Sequence, residues 1–554
     1  MISLQEESGP PHGGAFRQEV EKIFSPQGLL AGASNYEHRT EQQTMAGEVA
    51  AAIENGGHLV IEAGTGVGKS LAYLIPAALY AIRSKRKAVI STHTIALQEQ
   101  LMYKDIPLVQ KLLPIEFDAA LLKGRHNFLC GSRLDRALSQ SGDLFTSEQH
   151  MELERIREWS LTTRDGSLSD FLEQPAPAVW EEVRSEDHVC TQKHCAKNPR
   201  CFYQAMRRRV LSADIVVLNH ALLFTLLGSA DEQEDRESGL LFPKDFVIFD
   251  EAHTIEDVAS KHIGLEISQL GLRRGLQRLY NPRTKKGLFQ AMKNGAACSV
   301  IAELMPRADA FFDQVAARCA FKRNREFRVR EAGLADASEL SDGLARLSEF
   351  IKIQSAREED ETRKSELQDA ARRLGEARHG IGDFLRLEQP GHVYWVEQYG
   401  RHETFCTLRA APVDLAATLQ RMLFRENTTT VLTSATLSIG GTNMNYFRNR
   451  VGATECRAVQ IGSPFDYKKQ MTMHLVQKMP EPRDPGYDAA LEKWIAHFAD
   501  QSKARAFVLF TSYRTMRDAA QRLEHFFRTQ GWRVFLQGDG MPRHKMIEEF
   551  RNDV

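Results

Sequence analysis

The chain has 554 residues, too long for one ordinary core and suited to about three or four domains. Its composition is that of a globular protein, and a formal net charge of -1 excludes a global basic field, so any nucleic-acid surface has to be local. No apolar run reaches the ~18 residues of a membrane span, the opening MISLQEESGPPHGG lacks a signal-peptide layout, and eight cysteines at this length do not make a disulfide framework. The expected compartment is therefore the cytoplasm, with no membrane partner.

Residues 1–35 read as a flexible lead-in with one short amphipathic stretch, FRQEVEKIF. EQQTMAGEVAAAIENGG then reads as a helix closed by glycine. HLVIEA reads as a buried strand, GTGVGKS as a loop and SLAYLIPAALYAIRS as a helix. AVISTH is a second buried strand, with TIALQEQLM the helix after it. This alternation predicts an α/β fold, a parallel sheet with helices on both faces. The rhythm breaks between about Leu122 and Ser212 and resumes with the strand-like ADIVVLNHALL and DFVIFDEAH. From about Thr254 to Gly400 the composition is helical, and AREEDETRKSELQDAARRLGEARHG reads as a solvated helix or coiled-coil hairpin. TTTVLTSATLS returns to a buried strand. After Gly440 a second alternation begins, with KARAFVLFTSY, TMRDAAQRLEHFF and WRVFLQG.

IEAGTGVGKS follows a strand and opens a helix, the context a phosphate-binding loop requires. Gly64, Gly66 and Gly68 let the backbone wrap the phosphates, so the expected nucleotide site runs through Ala63, Gly64, Thr65, Gly66, Val67, Gly68, Lys69 and Ser70. Lys69 is expected to reach the β- and γ-phosphates and Ser70 to ligate Mg²⁺. Ala63 stands where the usual pattern has glycine. FVIFDEAH supplies the other half: Asp250 at a strand end to hold Mg²⁺, and Glu251 to orient or deprotonate the attacking water. Adjacent carboxylates at a strand end are otherwise often a helix N-cap; the upstream loop favours the catalytic reading.

Cys130, Cys190, Cys195 and Cys201 fall in one insert with the pattern C-x59-C-x4-C-x5-C. Four thiolates can hold a 4Fe–4S cluster or a tetrahedral Zn²⁺, and the spacing alone does not choose. His188 and His194 are further possible ligands, whereas Cys298, Cys319, Cys406 and Cys456 are scattered and read as ordinary thiols. Lys193, Lys197, Arg200, Arg207, Arg208 and Arg209 surround Phe202 and Tyr203, which suits phosphate tracking and base stacking.

These residues carry a resemblance to superfamily 2 helicases. AGTGVGKS resembles motif I, DEAH motif II, STHTIALQEQL motif Ia and LTSATL motif III. EAGTGVGKSLAYLIP, ADIVVLNHALL, LRAAPVDL and the cysteine spacing are similar to the iron–sulfur branch of XPD, DinG and YoaA proteins, from about Tyr36 to the end. The resemblance implies ATP and Mg²⁺ as cofactors, an all-cysteine 4Fe–4S cluster, and 5′–3′ movement on single-stranded DNA with unwinding at single-strand/duplex junctions in repair or replication. It also implies adenine recognition by Tyr36, Arg39 and Gln42, and coupling of hydrolysis to DNA by Ser434, Ala435 and Thr436. Thr92, Phe202, Tyr203, Thr511 and Ser512 are the expected DNA contacts. The cluster is expected to pin its insert as a rigid wedge, and the same chemistry is compatible with redox sensing.

The expected architecture is two RecA-like domains. The first comprises 36–121, 213–260 and 401–440, interrupted by an iron–sulfur insert at 122–212 and a helical arch at 261–400; the second, incomplete, is 441–554. The arch is expected to close over the insert around DNA. Its basic run Lys322, Arg323, Arg325, Arg328 and Arg330 suits such a channel and equally a solvated face. The family's GxFWEGVD- and QxxGRxIR-like motifs are missing. The second supplies an arginine of a kind worth roughly 10³–10⁵ in rate in other nucleotide hydrolases. The chain therefore reads as C-terminally truncated, expected to bind ATP but unwind poorly. Two other readings differ in class: an ATP-dependent DNA clamp that recruits a partner without processive unwinding, and an RNA helicase, which the cysteine insert argues against.

Overall fold

In the computed structural model the described residues are 14–33, 36–139, 147–171, 174–186, 201–230, 245–321, 325–359, 361–400, 404–426, 428–440, 443–539, 541 and 543–553. Their strands, in chain order, are β1 (Leu59–Ala63), β2 (Ala88–Thr92), β3 (Ala119–Leu121), β4 (Ile215–Asn219), β5 (Phe246–Asp250), β6 (Leu265–Ser268), β7 (Glu326–Val329), β8 (His392–Tyr399), β9 (Phe405–Pro412), β10 (Thr429–Ser434) and β11 (Arg457–Ile461). Seven form one parallel sheet in the order β11-β1-β10-β5-β2-β4-β3. The inner strands are continuous apolar runs because helices cover both faces. Side chains alternate between the faces. Leu59, Ile61, Ile90, Ile248 and Val431 pack with Met45, Tyr73 and Ile75 on one side. Val60, Val89, Phe249 and Leu432 pack with Phe224, Leu419 and Phe447 on the other.

The chain divides into two compact units, Met1–Phe465 and Asp466–Val554. The expected boundary at 440/441 shifts because β11 pairs in parallel with β1 and so belongs to the first sheet. The expected flexible lead-in also changes character. Its residues 1–13 lie outside the described ones, but the helix Ala15–Ile23 buries Phe16 and Val20, stacks Phe16 against Tyr80 and pairs Arg83 with Glu19.

The 122–212 insert leaves β3 and returns at β4, as the break in rhythm predicts. Helices Gly131–Ser139, Ser147–Thr162 and Pro177–Val183 enclose a small core of Leu129, Leu134, Leu153, Ile156 and Trp180. The arch is less helical than expected. Its charged segment does form a hairpin, Ser338–Arg357 against Glu361–Arg386, but these helices pack on an antiparallel sheet, β6-β9-β8-β7. HVYWVEQY is rich in aromatic and branched residues, a strand composition that a window averaged over 254–400 conceals.

The second unit contains helices Tyr487–Gln501 and Tyr513–Thr529, with Arg522 pairing Asp488 at 3.3 Å and also meeting Glu492. The strands expected in KARAFVLFTSY and WRVFLQG are absent among the described residues, and Phe507 and Leu509 are 74% and 93% exposed. Strand composition alone makes no ladder; a partner has to lie alongside. The expected second sheet is therefore not formed by the described residues.

Insert and arch meet through ion pairs: Arg274 to Glu181 at 2.9 Å, Arg136 to Glu366 at 3.4 Å, and Arg278 to Glu186. Glu186 is buried and also faces Arg133 at 3.2 Å. Burial works to raise its carboxyl, but Arg133 and Arg278 outweigh it and hold the group below the ordinary carboxylate range. A depressed acid contributes stability above its unfolded pKa and loses it as pH falls through its folded one. Glu186→Gln should cost about 1–3 kcal/mol in urea unfolding at pH 7. The gap from wild type should close on acidification through the carboxylate range, whereas equal stabilities at pH 7 would contradict the assignment.

Candidate active site

The phosphate loop joins the end of β1 to the helix Lys69–Ser84, whose N-cap is Gly68. Gly66 and Gly68 have φ of 87° and 82°, a left-handed backbone in which a side chain is strained. Both are also crowded. A Cβ on Gly66 would lie 2.2 Å from the Phe465 ring, and one on Gly68 would lie 2.3 Å from Gln42 Nε2. Val67 is buried in the core and anchors the loop, while Thr65 is exposed. Lys69 and Ser70 occupy the first helical turn, where unpaired N–H groups face an anion.

Residues ahead of the loop brace it from outside. Arg39 donates to the Gly66 carbonyl, Gln42 Nε2 donates to the Gly68 carbonyl at 3.0 Å, and the Tyr36 hydroxyl donates to Gln42 Oε1 at 3.3 Å. Gln42 is buried, and its amide is engaged with the loop backbone. The resemblance implies that these residues meet the nucleotide base; in the structure their contacts are with the loop, whose shape they fix.

Parallel register sets the carboxylates beside the loop. Asp250 ends β5 opposite Thr433 of β10, and β10 lies directly between β5 and β1. Asp250 is buried; burial first and the neighbouring Glu251 charge second push its carboxyl up to about 7, with Lys69 pulling the other way. The hydroxyls of Thr433, beside it, and of Thr92, at the end of adjacent β2, are buried and make no hydrogen bond among the described residues. Buried polar groups normally find partners, so this acidic, hydroxyl-lined spot fits a hydrated cation.

Glu251 has φ of 56°, unusual for a side chain that is not Gly, Asn or Asp. Its carboxylate lies 3.4 Å from the Ser434 hydroxyl and 3.4 Å from His253 Nδ1, and His253 and Ser434 share a 2.8 Å hydrogen bond. Ser434 Oγ also accepts from Thr436 N at 3.4 Å, so the Ser434–Ala435–Thr436 turn is tied to the carboxylate directly. The sequence reading passed over His253, although its place in DEAH was the available signal.

The DEAD/DEAH box helicase family profile matches residues 41–124, and a second profile, DEAD_2, matches 178–272. The chain is 32% identical over 537 residues to the ATP-dependent DNA helicase YoaA of Escherichia coli (strain K12), covering 95% of this chain and 79% of that protein. The chain belongs to the YoaA/DinG helicase family. It is also 31% identical to the ATP-dependent helicase DinG of Mycobacterium tuberculosis (strain ATCC 25177 / H37Ra), covering 93% of this chain and 77% of the relative. The solved structure of S. tokodaii Xpd4 overlaps it with a TM-score of 0.49 at 14% identity, covering 93% of this chain and 79% of that one.

Several expected contacts of this YoaA/DinG chain are placed differently from the sequence reading. Thr92 is fully buried, so its hydroxyl cannot meet DNA; the exposed residues of that loop are His93, Thr94 and Ile95. Ser91 and Thr92 are both fully buried because helices cover both faces of the sheet. Tyr203 is buried against Phe128 under the Arg125 guanidinium, 4.5 Å from its ring centre, so its face is already covered. Phe202 is half-buried, packing on the insert core and over Gly166. Both aromatics are packing residues here, not open stacking platforms. Thr511 and Ser512 are exposed, and Ser512 caps the helix Tyr513–Thr529. In the basic run, Lys322 and Arg323 lie outside the described residues. Arg328 and Arg330 are exposed on either side of buried Val329, and Arg325 donates to the Gly400 carbonyl at 2.8 Å.

Cys130 and Cys201 are both buried. Cys130 directly precedes the helix Gly131–Ser139, and Cys201 caps the helix Phe202–Ser212. A helix N-terminus favours thiolate over thiol, so both fit ligation of a cationic metal or cluster. Cys190, Cys195, His188, His194, Lys193, Lys197 and Arg200 lie outside the described residues. Among the described residues no three His, Cys, Asp or Glu side chains gather as a metal site, and no helix is long and apolar enough to cross a membrane.

Asp250 gives a pH test on the nucleotide-free protein. An acid whose folded pKa is raised contributes stability below its unfolded pKa and loses it as pH rises through the folded one, here between about 4 and 7. Stability should therefore fall from pH 5 to pH 8, and Asp250→Asn should remove much of that fall, on the order of 2 kcal/mol. Parallel pH profiles for the two proteins would show that Asp250 is ionised throughout.

Proposed function

We propose that the chain is an ATP-dependent DNA helicase that couples hydrolysis to 5′–3′ movement on single-stranded DNA and opens duplexes at single-strand/duplex junctions during repair or replication. The observation that carries the reading is the contact chain from Glu251 through Ser434 and His253, because it ties the residue placed to activate water to the turn that follows β10. Relatives named ATP-dependent DNA helicases support DNA as the substrate.

In this reading Gly64, Gly66 and Gly68 present backbone N–H groups to the phosphates, and Lys69 neutralises their charge. Ser70 and Asp250 would hold Mg²⁺, which would neutralise the phosphate oxygens. Glu251 orients the attacking water and takes its proton. Arg39 and Gln42 hold the loop in shape while meeting the nucleotide base. Ser434, Ala435 and Thr436 pass the state of the site to DNA, and Thr511 and Ser512 are DNA contacts of the second unit.

Cys130, Cys190, Cys195 and Cys201 would hold a 4Fe–4S cluster, which would cross-link the start and end of the insert and supply a redox-active centre. The insert's own apolar core supports a division of labour in which packing shapes its helices and the cluster fixes its ends.

Glu251→Gln should keep ATP binding and lose hydrolysis by at least about 100-fold, together with unwinding of a 5′-tailed duplex. Unwinding that survives in this variant would overturn the role given to Glu251, whereas a wild type that binds DNA with ATP but does not unwind, and a variant that keeps that binding, would point to a DNA clamp instead of a motor. Chemical assay of protein purified without oxygen should return about four irons and four sulfides per chain, and Cys130→Ser should lower both. One zinc without sulfide would remove the cluster and leave the ATP site standing.

A further inference from the structure

Glu62 has no part in the roles assigned above. It is a carboxylate inside a buried strand, one residue before Ala63, and is 7% exposed. Charged side chains are seldom buried without partners, and here donors from two other segments converge on it. Leu437 and Ser438 donate their backbone N–H groups to Oε2. The Ser438 hydroxyl donates to Oε1 at 2.9 Å, and Gln460 Nε2 donates to the same oxygen at 2.6 Å. Burial works to raise this carboxyl, but the donors outweigh it and hold it below the ordinary range.

The segments it joins all border the nucleotide site. Leu437 and Ser438 follow the turn that begins at Ser434, whose hydroxyl meets His253 and Glu251. Gln460 lies on β11, and the residues after it run along the phosphate loop. Gly64 N donates to the Ile461 carbonyl at 3.2 Å, Ser463 Oγ donates to the Thr65 carbonyl at 2.8 Å, and the Phe465 ring rests on Gly66. Asp466, the next residue, begins the second unit.

We propose that Glu62 is a positioning residue that locks the Leu437–Ser438 turn and the 460–465 exit segment to the phosphate loop, so that nucleotide occupancy is felt at the turn. The proposal rests on the reading of the chain as a nucleotide-driven motor. A carboxylate suits the task because it only accepts, and every neighbour aimed at it donates. An amide keeps one accepting oxygen and sets an NH₂ group against the remaining donors.

The test compares the wild-type chain, Glu62→Gln and Ser438→Ala. Magnesium AMP-PNP is the probe, with binding and hydrogen exchange of residues 434–440 read together. In wild type, AMP-PNP should change exchange in that segment. Glu62→Gln should bind the probe within about threefold of wild type yet reduce the exchange response at least about fivefold, with Ser438→Ala intermediate. A stability defect alone would raise exchange equally with and without nucleotide. A response in Glu62→Gln equal to wild type, or no response in wild type that binds the probe, would overturn the proposal. Wild type that binds no probe would remove the motor reading itself, and the proposal with it. Should Glu62→Gln fail to fold, the Ser438→Ala response decides: a wild-type value overturns the proposal and a reduced value supports it.

Discussion

The parallel register of β1, β10 and β5 is the constraint on which the rest of the site depends. Parallel strands deliver their carboxyl ends to the same edge, so Ala63, Ser434 and Asp250 emerge side by side although they are far apart in the chain. With β10 in the middle, neither the phosphate loop nor the acidic pair can move without disturbing the strand that carries Ser434. The contacts of Ser434 with Glu251 and His253 on one side, and those of Leu437 and Ser438 with Glu62 on the other, follow from that position. A sheet with β1 and β5 adjacent would hold the same nucleotide chemistry with no strand between its halves to report on it.

The strand ends also decide where insertions are tolerated. The cysteine insert follows β3 and the arch follows β5, both leaving from the nucleotide edge and returning to the sheet. Each has its own apolar core, although the insert also packs Phe128, Met206 and Val210 against the sheet. Their mutual contacts are ionic: Glu181 with Arg274, Glu186 with Arg278, and Glu366 with Arg136. The Arg274 and Arg136 guanidiniums are half-exposed, so their pairs hold weakly, whereas buried Glu186 ties insert and arch more firmly.

The phosphate loop and the DEAH strand were legible because their chemistry is local. A tight turn demands glycine, phosphate demands lysine, and both stand within a few consecutive residues of a strand–helix junction. The sheet core was legible for a similar reason, since inner strands are unbroken apolar runs. What escaped depends on direction and on partners. Thr92 sits at a strand end as expected, yet the sheet is covered on both faces there and the residue is buried. Tyr203 has the neighbours of a base-stacking residue, yet Arg125 and Phe128 cover it. The run Phe507–Phe510 has strand composition, yet no strand lies beside it among the described residues. β8 and β9 were hidden by the helices around them. In each case the residue types were right, and the missing information was a contact distant in sequence.

Glu62 shows how far a single residue in an unsuitable place can inform. HLVIEA would be a better buried strand with an apolar residue at that position. A carboxylate there costs desolvation that packing alone does not repay. The cost is met only because backbone N–H groups of Leu437 and Ser438, the Ser438 hydroxyl and the Gln460 amide all face it. Two of those donors belong to the backbone of an irregular turn, which has no ladder to satisfy it. The same bonds therefore solve two problems, the buried charge and the unpaired turn. Removing the side chain would leave the turn's N–H groups without these acceptors. A strand whose only task was to fill the core would carry neither liability, so the pairing of the two points to a requirement that the turn and the phosphate loop stay together.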